Sequence, residues 1–176
     1  MAELNAPLII TLHHDGPVPL EEFGAALDRI ASRYSRFSKA HGDTEDARLY
    51  IEHIREGSIE LSLTNLAAAA QPLVAHLSDL NTLIGYGKSL AALFRTFNSP
   101  TAIAAEVSVT DCDDVRAMVR PALHNEGGGL TVAINGDNNV IQPLIFLTAS
   151  DARQIDNRAA LVRAEESEGR AWLHAH

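Results

Sequence analysis

At 176 residues, with 46% hydrophobic and 21% charged side chains, the chain is long enough for one domain around a buried core and too apolar for global disorder. Its 14 Lys+Arg against 23 Asp+Glu leave a formal charge of −9, the wrong sign for general nucleic-acid binding, which draws its affinity from neutralised phosphates. The single cysteine, Cys112, excludes an intramolecular disulfide and a CxxC metal frame.

The opening MAELNAPLIITLHHDG has neither a basic n-region nor a cleavable apolar core, so no Sec signal is expected and the cytoplasm is the expected compartment. Residues 8–12 form a short apolar run rich in β-branched side chains, read as a first strand that ends in the turn cluster His13-His14-Asp15-Gly16-Pro17. Glu21 and Glu22 suit the positive end of a helix dipole. Phe23, Leu27, Ile30, Tyr34 and Phe37 then recur at steps of four, three, four and three, the stripe of an amphipathic helix. Residues 48–54 and 58–63 alternate around Glu56-Gly57 and predict a β-hairpin.

Residues 66–97 read as helical, with Leu73, Leu77, Leu80, Ile84, Gly87, Ala91 and Phe94 on a four–three spacing. Pro72 is expected to start or kink this segment, and Gly85 with Gly87 to break it into a helical hairpin. Asn98-Ser99-Pro100 is a stop signal, after which residues 101–109 suit either strand or loop. Thr110 with Asp113 resembles a capping box and opens a helix running towards Arg120-Pro121.

Three consecutive glycines at 127–129 read as a flexible joint and place the expected boundary, with a body at 1–126 and a hairpin-helix arm at 127–176 within one folding unit. Residues 130–134 and 140–147 predict a second hairpin around Asn135-Gly-Asp-Asn-Asn139. Ser150 and Asp151 suit the cap of a last helix ending near Gly169. The expected fold class is α+β: a small mixed or antiparallel sheet of about five strands, packed by the first and the long helix, with the C-terminal β-hairpin and helix as a projecting arm.

Motifs that carry chemistry are few. Thr82-Leu-Ile-Gly-Tyr-Gly-Lys-Ser89 approaches a P-loop but has Thr82 in place of the first glycine and lies inside a helical pattern, so a helix kink is the preferred reading. His13, His14 and Asp15 sit at a strand end, where neighbouring side chains point to opposite faces and do not converge on one ion. His174 and His176 suit weak metal chelation or, more simply, a frayed terminus. Asp111, Asp113 and Asp114 lack the glycine of an EF-hand loop and read as compensation of a helix dipole. The loop 136–139 reads as turn chemistry before calcium ligation. Ser58 is not in a nucleophile elbow, and Cys112 is flanked by aspartates that oppose a thiolate. No catalytic set, cofactor or metal is therefore expected. Arg29, Arg33 and Arg36 recur at steps of four and three as a basic ridge, read either as a contact for an anion or an acidic partner or as a solvated helix face.

The strand pair around Ile54-Arg-Glu-Gly-Ser-Ile59, the Ala/Leu helix after it, and Ile134-Asn-Gly-Asp-Asn-Asn-Val140 followed by Ala152-Arg-Gln-Ile-Asp-Asn-Arg-Ala159 appear in one order. That order resembles a loose group of uncharacterised bacterial proteins, some from mobile or defence-associated settings. The resemblance covers most of the chain and implies a bacterial intracellular setting, with no catalytic residue to carry over.

The function expected from these features is non-enzymatic: a self-assembling homo-oligomer or a protein that binds a protein partner. Leu73, Leu77, Leu80, Ile84 and Phe94 of the helical stripe, with Val140 and Leu144 of the second hairpin, are the expected contact residues. A membrane-active effector whose 66–97 helices enter a bilayer on triggering is the alternative, opposed by Asp79 and Lys88. A hydrolase assembled from distant residues stands third.

Overall fold

The structure is a computed structural model that describes residues 8–42, 49–51, 58–65, 73–100, 107–135 and 140–175. In chain order these form β1 (Leu8–His13), α1 (Leu20–Ala40), β2 (Leu49–Ile51), β3 (Ser58–Asn65), α2 (Leu73–Asn98), α3 (Val109–Val119), a 3₁₀ turn (Arg120–Leu123), β4 (Gly129–Asn135), β5 (Ile141–Thr148) and α4 (Ala149–Ala175). The fold is α+β, with one five-stranded sheet in the order β2-β3-β1-β4-β5 and every neighbouring pair antiparallel. Both expected hairpins are present, β2 with β3 and β4 with β5. None of the described helices is long and apolar enough to cross a membrane.

Strand periodicity sorts the sheet into two faces. On β1, Leu8, Ile10 and Leu12 stand opposite Ile134, Val132 and Leu130 of β4, and Ile10 and Leu12 also oppose Leu61 and Ile59 of β3. These residues join one core with Ile30 and Tyr34 of α1, Leu83, Tyr86, Leu90, Phe94 and Phe97 of α2, Val115 and Met118 of α3, and Ile155 of α4. The four helices thus gather on a single face: α2 runs along β1, β3, β4 and β5, α4 adjoins α2 and α3, and α1 bridges α2 and α3. The other face carries Ile9, Thr11 and His13 of β1, Thr131 and Ala133 of β4, and Phe146 of β5.

The predicted stripe of α1 packs as its spacing requires, with Ile30 and Tyr34 buried and Phe23, Leu27 and Phe37 against the core. Two rings, Tyr34 and Tyr86, meet edge to face at 5.3 Å, and the Tyr86 hydroxyl donates to the Ile30 carbonyl at 2.7 Å, tying α2 to α1. Burial, the main cause, pushes the Tyr86 phenol far above its ordinary value, so it stays a neutral donor.

Several expectations are corrected. First, α2 is one helix through Gly85 and Gly87 rather than a helical hairpin. Gly87 marks a close crossing, because a Cβ there would stand 2.7 Å from Leu8 Cδ1 on β1. The triple glycine is likewise a packing device and not a flexible joint. A Cβ on Gly128 would lie 2.3 Å from the Ala122 carbonyl oxygen, while its amide donates to the Asn125 carbonyl at 3.0 Å. Nor does the C-terminal hairpin project, since β4 pairs with β1 from Gly129 to Ile134 and α4 packs on α3.

The helix starts also differ. Ser108, not Thr110, caps α3: its hydroxyl accepts from the Asp111 amide at 3.1 Å while its own amide donates to the Asp111 carboxylate at 3.0 Å. Thr148 and Asp151 repeat the arrangement at α4, the Thr148 hydroxyl accepting at 3.2 Å and its amide donating at 2.8 Å. The last helix continues past Gly169 to Ala175.

Candidate functional site

The three arginines of α1 lie against α3, where two carboxylates face them. Steps of four and three put Arg29, Arg33 and Arg36 on one side of α1, and Asp111 and Asp114, three apart, face them from α3. Asp114 is completely buried. Its Oδ2 accepts from Arg36 and, at 3.3 Å, from Arg33, while its Oδ1 is 3.6 Å from Arg29, within ion-pair range but short of a hydrogen bond. Arg33 also donates to Asp111 at 2.6 Å. The aspartate cluster therefore does more than offset the α3 dipole. Asp113 takes a different direction and pairs with Arg163 of α4 at 2.6 Å, alongside Arg116 with Asp156 at 2.9 Å.

Burial raises the Asp111 carboxyl, but hydrogen bonds from Arg33 and Ser108 outweigh it and hold the group below its ordinary value of 3.8. At Asp151 burial is again the leading influence, overcome by Thr148 and by Asn98, whose side-chain amide donates at 3.1 Å. Both folded values are depressed, so their stabilisation is complete above pH 3.8 and is lost as pH falls through the folded values. Urea midpoints are expected to hold between pH 7 and 5 with respect to these two groups and to drop below about pH 4. An Asp111→Asn variant is expected to be less stable at neutral pH and to show a shallower acid decline.

Among the described side chains the histidines do not converge. His13 bonds Thr131 Oγ1 at 2.7 Å, His14 Nδ1 donates to the Gly16 carbonyl at 3.1 Å, and Asp15 accepts from the Gly127 amide at 3.2 Å. His124 pairs with Glu22 of α1. Among the described residues no group of three or more His, Cys, Asp or Glu is placed to hold a metal ion. Cys112 is buried, and burial first, then Asp111, Asp113 and Glu166, pushes its thiol up, away from nucleophilic use. Residues 82–89 are continuous helix, so their glycines form no phosphate loop. The loop 136–139, His176 and the side chain of His174 lie outside the described part.

The expected contact residues separate. Phe94 is fully buried and Ile84 packs against the core, which corrects their reading as surface contacts. Their four–three spacing serves the chain's own interior. Leu144 is also turned inward, near Gly87, as the extra residue of a β-bulge: Ile145 opposes Val132, but Pro143 opposes Ala133. The side chains of Leu73, Leu77 and Leu80 lie outside the described part. Val140 is exposed.

Sequence reasoning overlooked two exposed apolar residues of β5. Ile141 and Phe146 of β5 are 56% and 60% exposed, and the His13 ring meets Phe146 edge-on at 5.7 Å. Pro143 held the missing signal, because proline within a strand belongs at a sheet edge, where outward apolar side chains meet solvent.

Comparison with protein-family models, with characterised proteins and with solved structures gives no match.

Proposed function

We propose that this chain is a non-enzymatic contact protein, a self-assembling or partner-binding module that uses the apolar outer side of β5. The observation that carries the reading is the exposure of Ile141 and Phe146, 56% and 60%, on the outer face of the edge strand β5, with Val140, 55% exposed, just before it. Scattered apolar residues on a surface need no explanation, but Ile141, Pro143 and Phe146 follow one another on the outer face of an edge strand, an arrangement of the kind that marks interaction sites. Further support comes from the described polar clusters: the arginines of α1, the aspartates of α3 and the His124–Glu22 pair engage one another and tie helices together.

Solution mass by light scattering, over a wide concentration range, tests the reading. A discrete, concentration-stable multiple of 19.0 kDa supports it. The joint replacement Val140→Ser, Ile141→Ser and Phe146→Ser is expected to lower that mass with little change in the thermal midpoint. A chain that is monomeric throughout, and whose triple variant matches it in mass and solubility, would sink the reading.

A further inference from the structure

We propose that the outward edges of Arg29 and Arg36 on α1 bind a phosphate group, with Asp114 as the internal carboxylate that positions them. The site is on α1, apart from β5, and goes beyond the contact reading above.

The arginine–aspartate cluster is closed unevenly. Asp114 holds Arg33 and Arg36 through Oδ2, and Arg33 is held a second time by Asp111. Oδ1 of Asp114 is buried yet accepts no hydrogen bond, and Arg29 stands 3.6 Å from it. Among the described residues Arg29 donates no hydrogen bond, and Arg36 donates only to Asp114. A guanidinium carries five N–H donors, so most of those on Arg29 and Arg36 are unspent. Both side chains are close to half exposed, at 43% and 49%, against 18% for Arg33. Arg33 bolts α1 to α3, while Arg29 and Arg36 keep donors for solvent.

Helix geometry gathers these donors. Residues 29 and 36 are nearly in line along α1, two turns apart, and Ser32 lies between them on the side away from the core. Their convergence on one carboxylate draws the guanidiniums closer than the backbone spacing of about 10 Å.

Charge and shape select the ligand. Three guanidiniums face two carboxylates, which leaves a positive spot on a chain of −9. Asp113 is turned to Arg163 of α4, and Asp28 stands about 100° round the helix from Arg29. Attraction to the spot scales with the ligand's charge, so a dianion gains about twice what a monoanion gains. Tetrahedral phosphate oxygens reach donors on two separate guanidiniums, whereas a planar carboxylate matches the single fork of one. Arg36 is already pinned by the buried Asp114, which lowers the cost of ordering it around a ligand. A phosphorylated small molecule and free phosphate share this chemistry.

Calorimetric titration with inorganic phosphate tests the site, at constant ionic strength and about pH 8, where phosphate is the dianion. The expected result is saturable one-to-one binding with a Kd of about 1 mM or below, at least about tenfold tighter than acetate. Arg29→Gln is the decisive variant, because a side chain without a hydrogen bond can be lost with the thermal midpoint in phosphate-free buffer unchanged. It is expected to weaken phosphate at least about tenfold and to abolish the rise in midpoint that phosphate gives the parent. Lys88→Gln, exposed on α2, is expected to bind as the parent does. Methyl phosphate separates the sources: tighter binding than inorganic phosphate marks a phosphorylated ligand, and weaker binding marks free phosphate. No saturable heat up to about 10 mM phosphate, acetate binding as tightly, or an Arg29→Gln variant that binds like the parent each overturns the inference. None of these outcomes touches the β5 reading, whose readout is mass. Should Arg29→Gln fail to fold, Arg29→Lys, which keeps the charge and loses the planar fork, is held to the same loss.

Discussion

Replacing Asp114 with alanine is expected to lower the unfolding free energy by about 3–5 kcal/mol, the range for removing one partner of a buried ion pair. Asp114 is fully buried and receives Arg33 and Arg36, with Arg29 3.6 Å from its other oxygen. Without it three guanidiniums converge on α3 with Asp111 as their nearest counter-charge. The arginines are not all enclosed: the Arg29 and Arg36 side chains are 43% and 49% exposed and can turn to water, which moves the expectation to the lower end of the range. Arg33, at 18%, has less freedom and keeps Asp111. Urea unfolding of Asp114→Ala and Asp114→Asn measures the effect. A loss under about 1 kcal/mol in both would show that the cluster behaves as a surface salt bridge and that α1 and α3 are joined by apolar packing alone.

Truncating Phe94 to alanine is expected to cost a further independent 3–5 kcal/mol or so, as for other large aromatic side chains removed from a core. Phe94 has no exposed surface and shares the core with Leu90 and Phe97 of its own helix and with Leu8 and Ile134 of the sheet. The cavity left behind is lined by strands and helices fixed on several sides, so it collapses only in part. Phe146→Ser supplies the contrast: its ring is 60% exposed, and the same loss of an aromatic should change chain stability by only about 0.5 kcal/mol. Denaturant midpoints for the pair, taken at a concentration where the chain is monomeric, separate interior from contact surface. If Phe94→Ala instead left the midpoint in place and only changed the solution mass, the long stripe of α2 would be an interface after all.

Local patterns carried much of the fold. The step of four and three from Phe23 to Phe37, the alternation on either side of Glu56-Gly57, and the paired runs flanking 136–139 each reduce to a helix or strand repeat that acts within a few residues. Composition set further bounds, including a single cysteine with no intramolecular disulfide partner and an acidic net charge. Those properties follow from the chain itself, because backbone geometry and solvent preference need no distant partner.

Other features depended on which elements became neighbours. Arg29, Arg33 and Arg36 read as a free basic ridge until α3 brought Asp111 and the buried Asp114 opposite them, 78 residues and more along the chain. A run such as Leu90 to Phe97 has one spacing whether its stripe meets a sheet of the same molecule or another chain; only the position of α2 along β1, β3, β4 and β5 made it interior. The glycines at 127–129 look identical to a hinge in sequence, yet the approach of Gly128 to the Ala122 carbonyl makes them close-packing residues. The exposure of Phe146 was likewise decided by strand order: the alternation of β5 leaves one face outward, and its place at the edge, beyond β4, leaves that face uncovered by the helices gathered on the other side. Periodicity is a one-dimensional signal, and it reports that a face must be buried without reporting against what.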